Sequence, residues 1–159
     1  VERLAALVLV AASFALFSLY SVATPLFEAS DELWHYPFVR HLATTRTLPT
    51  QRSSDTDANA PWRQEGSQPP LYYALAALVS APVDTSNWRD IRRVNPHSDM
   101  GRPTRDGNAN AVMHNAAESF PWTGPALAVH LARFVSVIFS TLTVLFAYLT
   151  AREVFPPTL

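Results

Sequence analysis

The sequence predicts an all-α membrane protein in which two transmembrane helices flank a long extracytoplasmic loop carrying short juxtamembrane helices. Three observations predict it. Two long uncharged apolar runs, residues 4–24 and 134–151, stand near the ends of the 159-residue chain. Between them, residues 25–125 hold 11 of the 13 acidic residues, 9 of the 12 basic residues and all 4 glycines. Loop backbone of that composition cannot sit in lipid, where its amide groups would go unpaired.

The first run, LAALVLVAASFALFSLYSVAT, has 21 residues without a charge. At 1.5 Å per residue it spans roughly 30 Å, the thickness of a bilayer core. It is longer than the apolar region of a cleaved signal peptide, and Val1-Glu2-Arg3 is not a basic leader. An uncleaved anchor is expected, with a signal peptide or a buried core helix as the alternatives. The second run, FVSVIFSTLTVLFAYLTA, has 18 uncharged residues, and residues 126–133 extend it at its outer end. His130 and Arg133 sit there, where a guanidinium can snorkel towards water. The expected organisation is residues 1–24 as the first transmembrane helix, 25–125 as the loop, 126–151 as the second transmembrane helix and 152–159 as the start of a further loop.

Two short helices are expected inside the loop, near 31–46 and 70–81. Ser30 has the chemistry of an N-cap, and Asp31 and Glu32 place negative charge in the first turn, where the helix dipole favours it. Pro37 is expected to bend this helix or end it early. In PLYYALAALVSA, Pro70 suits a first helical position. The uncharged stretch from Pro69 to Val83 is short for a crossing. A shallow juxtamembrane helix and a third crossing are both open, and the choice fixes the topology. Residues 50–70 and 84–124, rich in polar and turn-forming types, read as loop. One arginine at each end, Arg3 and Arg152, fits cytoplasmic termini.

Composition narrows the chemistry. There is no cysteine, so disulfides, thiolate catalysis and Cys-ligated metal are excluded. All 12 basic residues are arginine, which excludes Schiff-base chemistry and a P-loop lysine. A net charge of -1 gives no basic face for nucleic acid.

The densest chemical group is Glu28, Asp31, Glu32 and His35. Asp31 and His35 are four apart and share a helix face, as do Glu28 and Glu32. A carboxylate there can act as a general base or bind a divalent cation through oxygen. The same residues would also serve as a capping cluster with no chemistry. His97, His114 and His130 have no metal-ligand spacing and read as polar surface residues. Arg89, Arg92 and Arg93 form a basic patch suited to phosphate, or simply a solvated face. Arg133, near the end of an apolar helix, must find water, a headgroup or an anionic partner.

The order of motifs carries a resemblance. After the first apolar helix come PLFEASDELWHYPFV (Pro25 to Val39), then QPPLYYAL (Gln68 to Leu75), then LARFVSVIFSTLTVLFAYLTAREVFP (Leu131 to Pro156). This resembles the N-terminal part of membrane glycosyltransferases with the GT-C fold, in the branch related to protein mannosyltransferases and lipid A aminoarabinose transferases. The first motif is similar to that family's "pDE..H" signature.

The resemblance implies sugar transfer from a polyprenyl-phosphate donor to a glycan, lipid or protein acceptor outside the membrane. It implies Asp31, with Glu32 beside it, as the catalytic base or metal-site residue, and a divalent cation, Mg or Mn, as a cofactor at Asp31. His35, Gln68, Tyr72, Tyr73 and Arg133 are the implied substrate-binding residues. Gln68 stands where relatives often carry a basic residue, and the stretch 82–125 is a long insertion. Such enzymes have many more membrane helices, so the chain is expected to be an N-terminal piece of one, without turnover by itself. The non-enzymatic alternative is a membrane-anchored binding or assembly module.

Overall fold

A computed structural model describes residues 2–29, 31–52, 60–98 and 110–155. Their regular structure is helical, with four α-helices: α1 (Glu2–Ala23), α2 (Glu32–Thr45), α3 (Leu71–Ser80) and α4 (Gly124–Val154). Short 3-10 turns occur at Arg63–Ser67, Trp88–Asp90 and Ala116–Glu118, and one isolated antiparallel bridge joins Val94 to Val112. The chain divides into two compact units, Val1–Ala23 with Arg133–Leu159, and Thr24–Ala132.

In the first unit, α1 and the later part of α4 are long and apolar enough to cross a membrane. A helix at a soluble surface shows one apolar stripe. By contrast, α1 exposes Leu4, Leu7, Leu16 and Leu19 around its circumference. Phe14 meets Phe134 edge-on at 6.2 Å. Arg133 is buried and donates from Nη1 to the carbonyl of Ser21 at 2.7 Å.

In the second unit, α2 packs on α3. The core takes Leu33, Phe38 and Val39 from α2 and Tyr73, Ala76 and Ala77 from α3, joined by Trp88, Ile91 and Val112 from the polar stretch. The face of α3 turned away from this core is apolar, with Leu71 and Leu78 largely exposed.

The start of α2 differs from expectation. Ser30 lies outside the described residues, and the residue before the helix is Asp31, in the left-handed region at φ 59°. Its carbonyl accepts from the amides of Trp34 (2.8 Å) and His35 (3.0 Å). Phe27 is left-handed as well, at φ 64°, and its amide donates to the Glu32 carboxylate at 2.6 Å. The side chain of Glu32 thus reaches back and closes the turn that leads into its own helix.

Pro37 does not end α2, which runs on to Thr45. Proline lacks the N–H that would bond to the carbonyl four residues earlier, here that of Leu33. Arg92 fills the place: its Nε donates to the Leu33 carbonyl at 3.0 Å, and its Nη2 donates to Pro61 at 3.1 Å. Arg92 is therefore buried between segments, not part of a solvated basic face, while Arg89 and Arg93 are exposed. Its guanidinium lies between Trp34 (5.2 Å) and Trp88 (5.4 Å). Arg63 covers Trp34 at 3.6 Å and Arg40 covers Trp88 at 5.1 Å. Alternating cations and indoles so hold α2 to two stretches of chain with little regular structure, around Arg63 and around Trp88 and Arg92.

The stretch read as loop is fastened by polar side chains. Glu28 accepts from the amides of Ala111 (2.8 Å) and Val112 (3.1 Å), and lies 3.0 Å from His114 Nε2. The other ring nitrogen of His114 is 2.7 Å from Glu118. Asn115 and Glu118 form a reciprocal capping box, and the Asn115 amide donates to the carbonyl of Asp90 at 2.8 Å. His130, expected at the surface, is buried on α4 and stacked on Trp122 at 3.6 Å.

Candidate functional site

The two sequence motifs that precede α4 meet in space. His35, one turn into α2, and Tyr73, on the first turn of α3, place Nδ1 and the phenolic oxygen 2.6 Å apart. Both are set by helix periodicity. Tyr73 shares the buried face of α3 with Ala76, Ala77 and Ser80, at spacings of three and four. On α2, Phe38 follows His35 by three residues, and its ring stacks on Tyr73 at 3.9 Å with 16° between planes. The phenol is thereby fixed from one side, while the Tyr72 ring meets it edge-on at 5.3 Å.

The third member is Glu65, on the 3-10 turn Arg63–Ser67. Its side chain is 7% exposed, and Oε2 lies 3.8 Å from His35 Nδ1. Sequence reasoning passed over it. An isolated acid in a polar, irregular stretch leaves no periodic mark, and only its position three residues before Gln68-Pro69-Pro70 sets it near a motif. Gly66 makes the turn: a Cβ there would lie 2.5 Å from Trp62 Cδ1, so the indole can pack down only on a glycine.

Burial, the charge of Glu65 and the neighbouring Tyr72 push the Tyr73 phenol up to about 12. At neutral pH it is a proton donor.

Asp31 is exposed at the N-terminal end of α2, one turn before His35. Its backbone is left-handed, as are those of Phe27, Arg46 and Arg63, in a region that aspartate enters more readily than most residues. Glu32 is half-buried and holds the Phe27 amide. Glu28 is not on the helix with them. It precedes α2, and its oxygens are occupied by the 111–114 segment. Gln68 is exposed, with its amide donating to the carbonyl of Glu65 at 3.0 Å. Tyr72 is half-buried and donates to the carbonyl of Ala132 at 3.4 Å. Arg133 belongs to the other unit, where it holds Ser21.

Among the described residues no three His, Asp or Glu side chains converge as ligands for a metal ion. A cation at Asp31 would have to complete its coordination with water and substrate oxygens, the usual habit of magnesium.

The fold defines an all-α protein with two long apolar helices and a polar unit whose His35–Tyr73–Glu65 cluster adjoins an exposed aspartate. No protein-family model, curated protein or solved structure matches the chain.

Proposed function

We propose that this chain forms part of an integral, multi-pass membrane glycosyltransferase of the cell membrane. It moves a sugar from a polyprenyl-phosphate donor to an extracytoplasmic acceptor, with Asp31 as the base. The supporting observation is the junction of the two motif segments: Pro25–Val39 and Gln68–Leu75 share one cluster through His35 and Tyr73 at 2.6 Å. Residues that resemble a family's signature in order along the chain are here also neighbours, as one site would require.

In this reading α1 and α4 cross the bilayer and the Thr24–Ala132 unit stands outside. The acceptor hydroxyl oxygen bonds to the anomeric carbon while the bond from that carbon to the phosphate oxygen breaks. The hydroxyl proton passes to the Asp31 carboxylate, and the phosphate leaves with the electron pair. Glu32, tied to Phe27, keeps Asp31 at the mouth of the turn. His35 and the exposed Gln68 meet the donor, with Tyr72 and Tyr73 behind them. A divalent cation held by Asp31 would supply charge neutralisation at the phosphate.

The test is transfer of labelled sugar from polyprenyl-phosphate donor in membranes carrying the protein. Asp31→Asn is expected to lower transfer by about 100-fold or more, within the range ascribed to general-base catalysis, without loss of protein from the membrane. Near-normal transfer by Asp31→Asn would overturn the assignment. Absence of transfer by the unaltered protein in its whole parent chain would favour the anchored binding module.

A further inference from the structure

The cluster fixes more than proximity, because the proton between Tyr73 and His35 has one place to go. Tyr73 is 3% exposed, and its hydroxyl has one hydrogen-bonding partner among the described residues, His35 Nδ1. A buried phenol that remains protonated must donate, since an unmet donor costs about 1–3 kcal/mol in such a setting. Nδ1 is then the acceptor and carries no hydrogen. In a neutral imidazole the ring hydrogen must therefore sit on Nε2. Nε2 has no hydrogen-bond partner among the described residues, and the His35 side chain is 35% exposed. Stacking on Phe38 prevents the phenol from swinging away. Glu65 Oε2 lies 3.8 Å from the same nitrogen, beyond hydrogen-bond reach, so the phenol is the group that meets Nδ1.

We propose that Tyr73 is a positioning residue that holds neutral His35 as the Nε2–H tautomer, so that the ring offers a single donor to a phosphate oxyanion. His35 is then a binding group and not a general base, which leaves base chemistry to Asp31. The identity of the ligand rests on the glycosyltransferase reading. The tautomer does not.

The experiment is nitrogen NMR of the full chain with labelled histidine in nanodiscs, at about pH 9, above the ordinary imidazole range. His35→Gln identifies the His35 signals. The expected result is an unprotonated Nδ1 and a protonated Nε2 in the unaltered protein, and a mixture of tautomers in Tyr73→Phe. A protonated Nδ1 in the unaltered protein would overturn the tautomer assignment, and that reading needs no variant to fold. Unchanged tautomer populations in folded Tyr73→Phe would overturn the role of Tyr73. Asp31→Asn should leave the spectrum unaltered whether or not it abolishes transfer, which separates this proposal from the catalytic one. Two additions test the ligand: inorganic phosphate alone, and nanodiscs loaded with polyprenyl phosphate. Displacement of the Nε2–H signal by both assigns a general phosphate oxyanion, and displacement by the lipid alone assigns its headgroup. No displacement by either overturns the ligand half of the proposal.

Discussion

Arg92 completes the hydrogen bond that Pro37 cannot make. The carbonyl of Leu33, four residues before the proline, receives Arg92 Nε at 3.0 Å in place of a helical amide. A side chain 55 positions further on thus repairs the backbone of α2. Arg92→Leu should cost about 3 kcal/mol, from two carbonyls left without their charged donor, and should fray the first turns of α2. Thermal unfolding in detergent and amide exchange at α2 would measure this. Arg92→Lys should restore little, because one compact ammonium nitrogen replaces the two separate nitrogens that reach Leu33 and Pro61, and it has no planar face to set against the indoles.

The Glu28 carboxylate serves three donors at once, the amides of Ala111 and Val112 and the His114 ring. Glu28→Gln puts an amide group where one oxygen accepted. We expect a loss of about 1–3 kcal/mol, concentrated in the 110–118 segment. Hydrogen exchange should quicken at Ala111 and Val112 while amides of α3 keep their protection. Uniform loss across the unit would contradict a local fastening.

Gly66→Ala tests the seat of Trp62. The added methyl would stand 2.5 Å from Cδ1 of the indole and 3.2 Å from Gln51 Cγ. The ring must shift off His41, which it meets edge-on at 4.8 Å. Overpacking of this kind costs about 1–3 kcal/mol, and a lowered melting temperature with altered tryptophan fluorescence is the expected result.

Stability should fall at both ends of the pH scale. Burial lowers the pKa of His41 below its ordinary 6.5. The folded form therefore binds its proton less tightly than the unfolded chain, and the contribution present above 6.5 is lost as pH falls. Tyr73 has the opposite sign. Its pKa rises from 10.0 to about 12, so its contribution is whole below 10 and disappears as pH rises towards 12. Tyr36, buried, acts in the same direction. Melting temperature against pH should fall on both flanks, with His41→Gln flattening the acid limb and Tyr73→Phe the alkaline one.

The long apolar helices were legible because two runs of 18 or more uncharged residues stand out from the polar stretch between them. The bounds of α2 and α3 followed from local signals, acidic residues and proline ahead of periodic apolar positions. Pro37 did not end α2 early for a physical reason: its local rule holds, and the compensation comes from Arg92, which no nearby pattern announces. Arg92 and His130 were misread for a related reason, since polarity predicts exposure only where no aromatic ring or carbonyl takes the side chain in. Asp31, His35, Tyr72 and Tyr73 could be named as candidates from their motifs. Glu65 could not, because its relation to His35 exists only after the turn around Gly66 has formed.

The fastening of Glu28 to Ala111 also sets an order of events. It closes a loop of 83 positions. Bringing such ends together costs about 4 kcal/mol from the length term alone, whereas His35 and Tyr73 are only 38 positions apart. On the same scale the shorter closure costs about 3 kcal/mol, so pairing of α2 with α3 asks less of the chain than the Glu28 fastening does. The 110–118 segment, held at its start by one carboxylate, is therefore expected to open before the α2–α3 pair. A protease acting briefly on the folded protein should cut there while the α2–α3 pair is still whole.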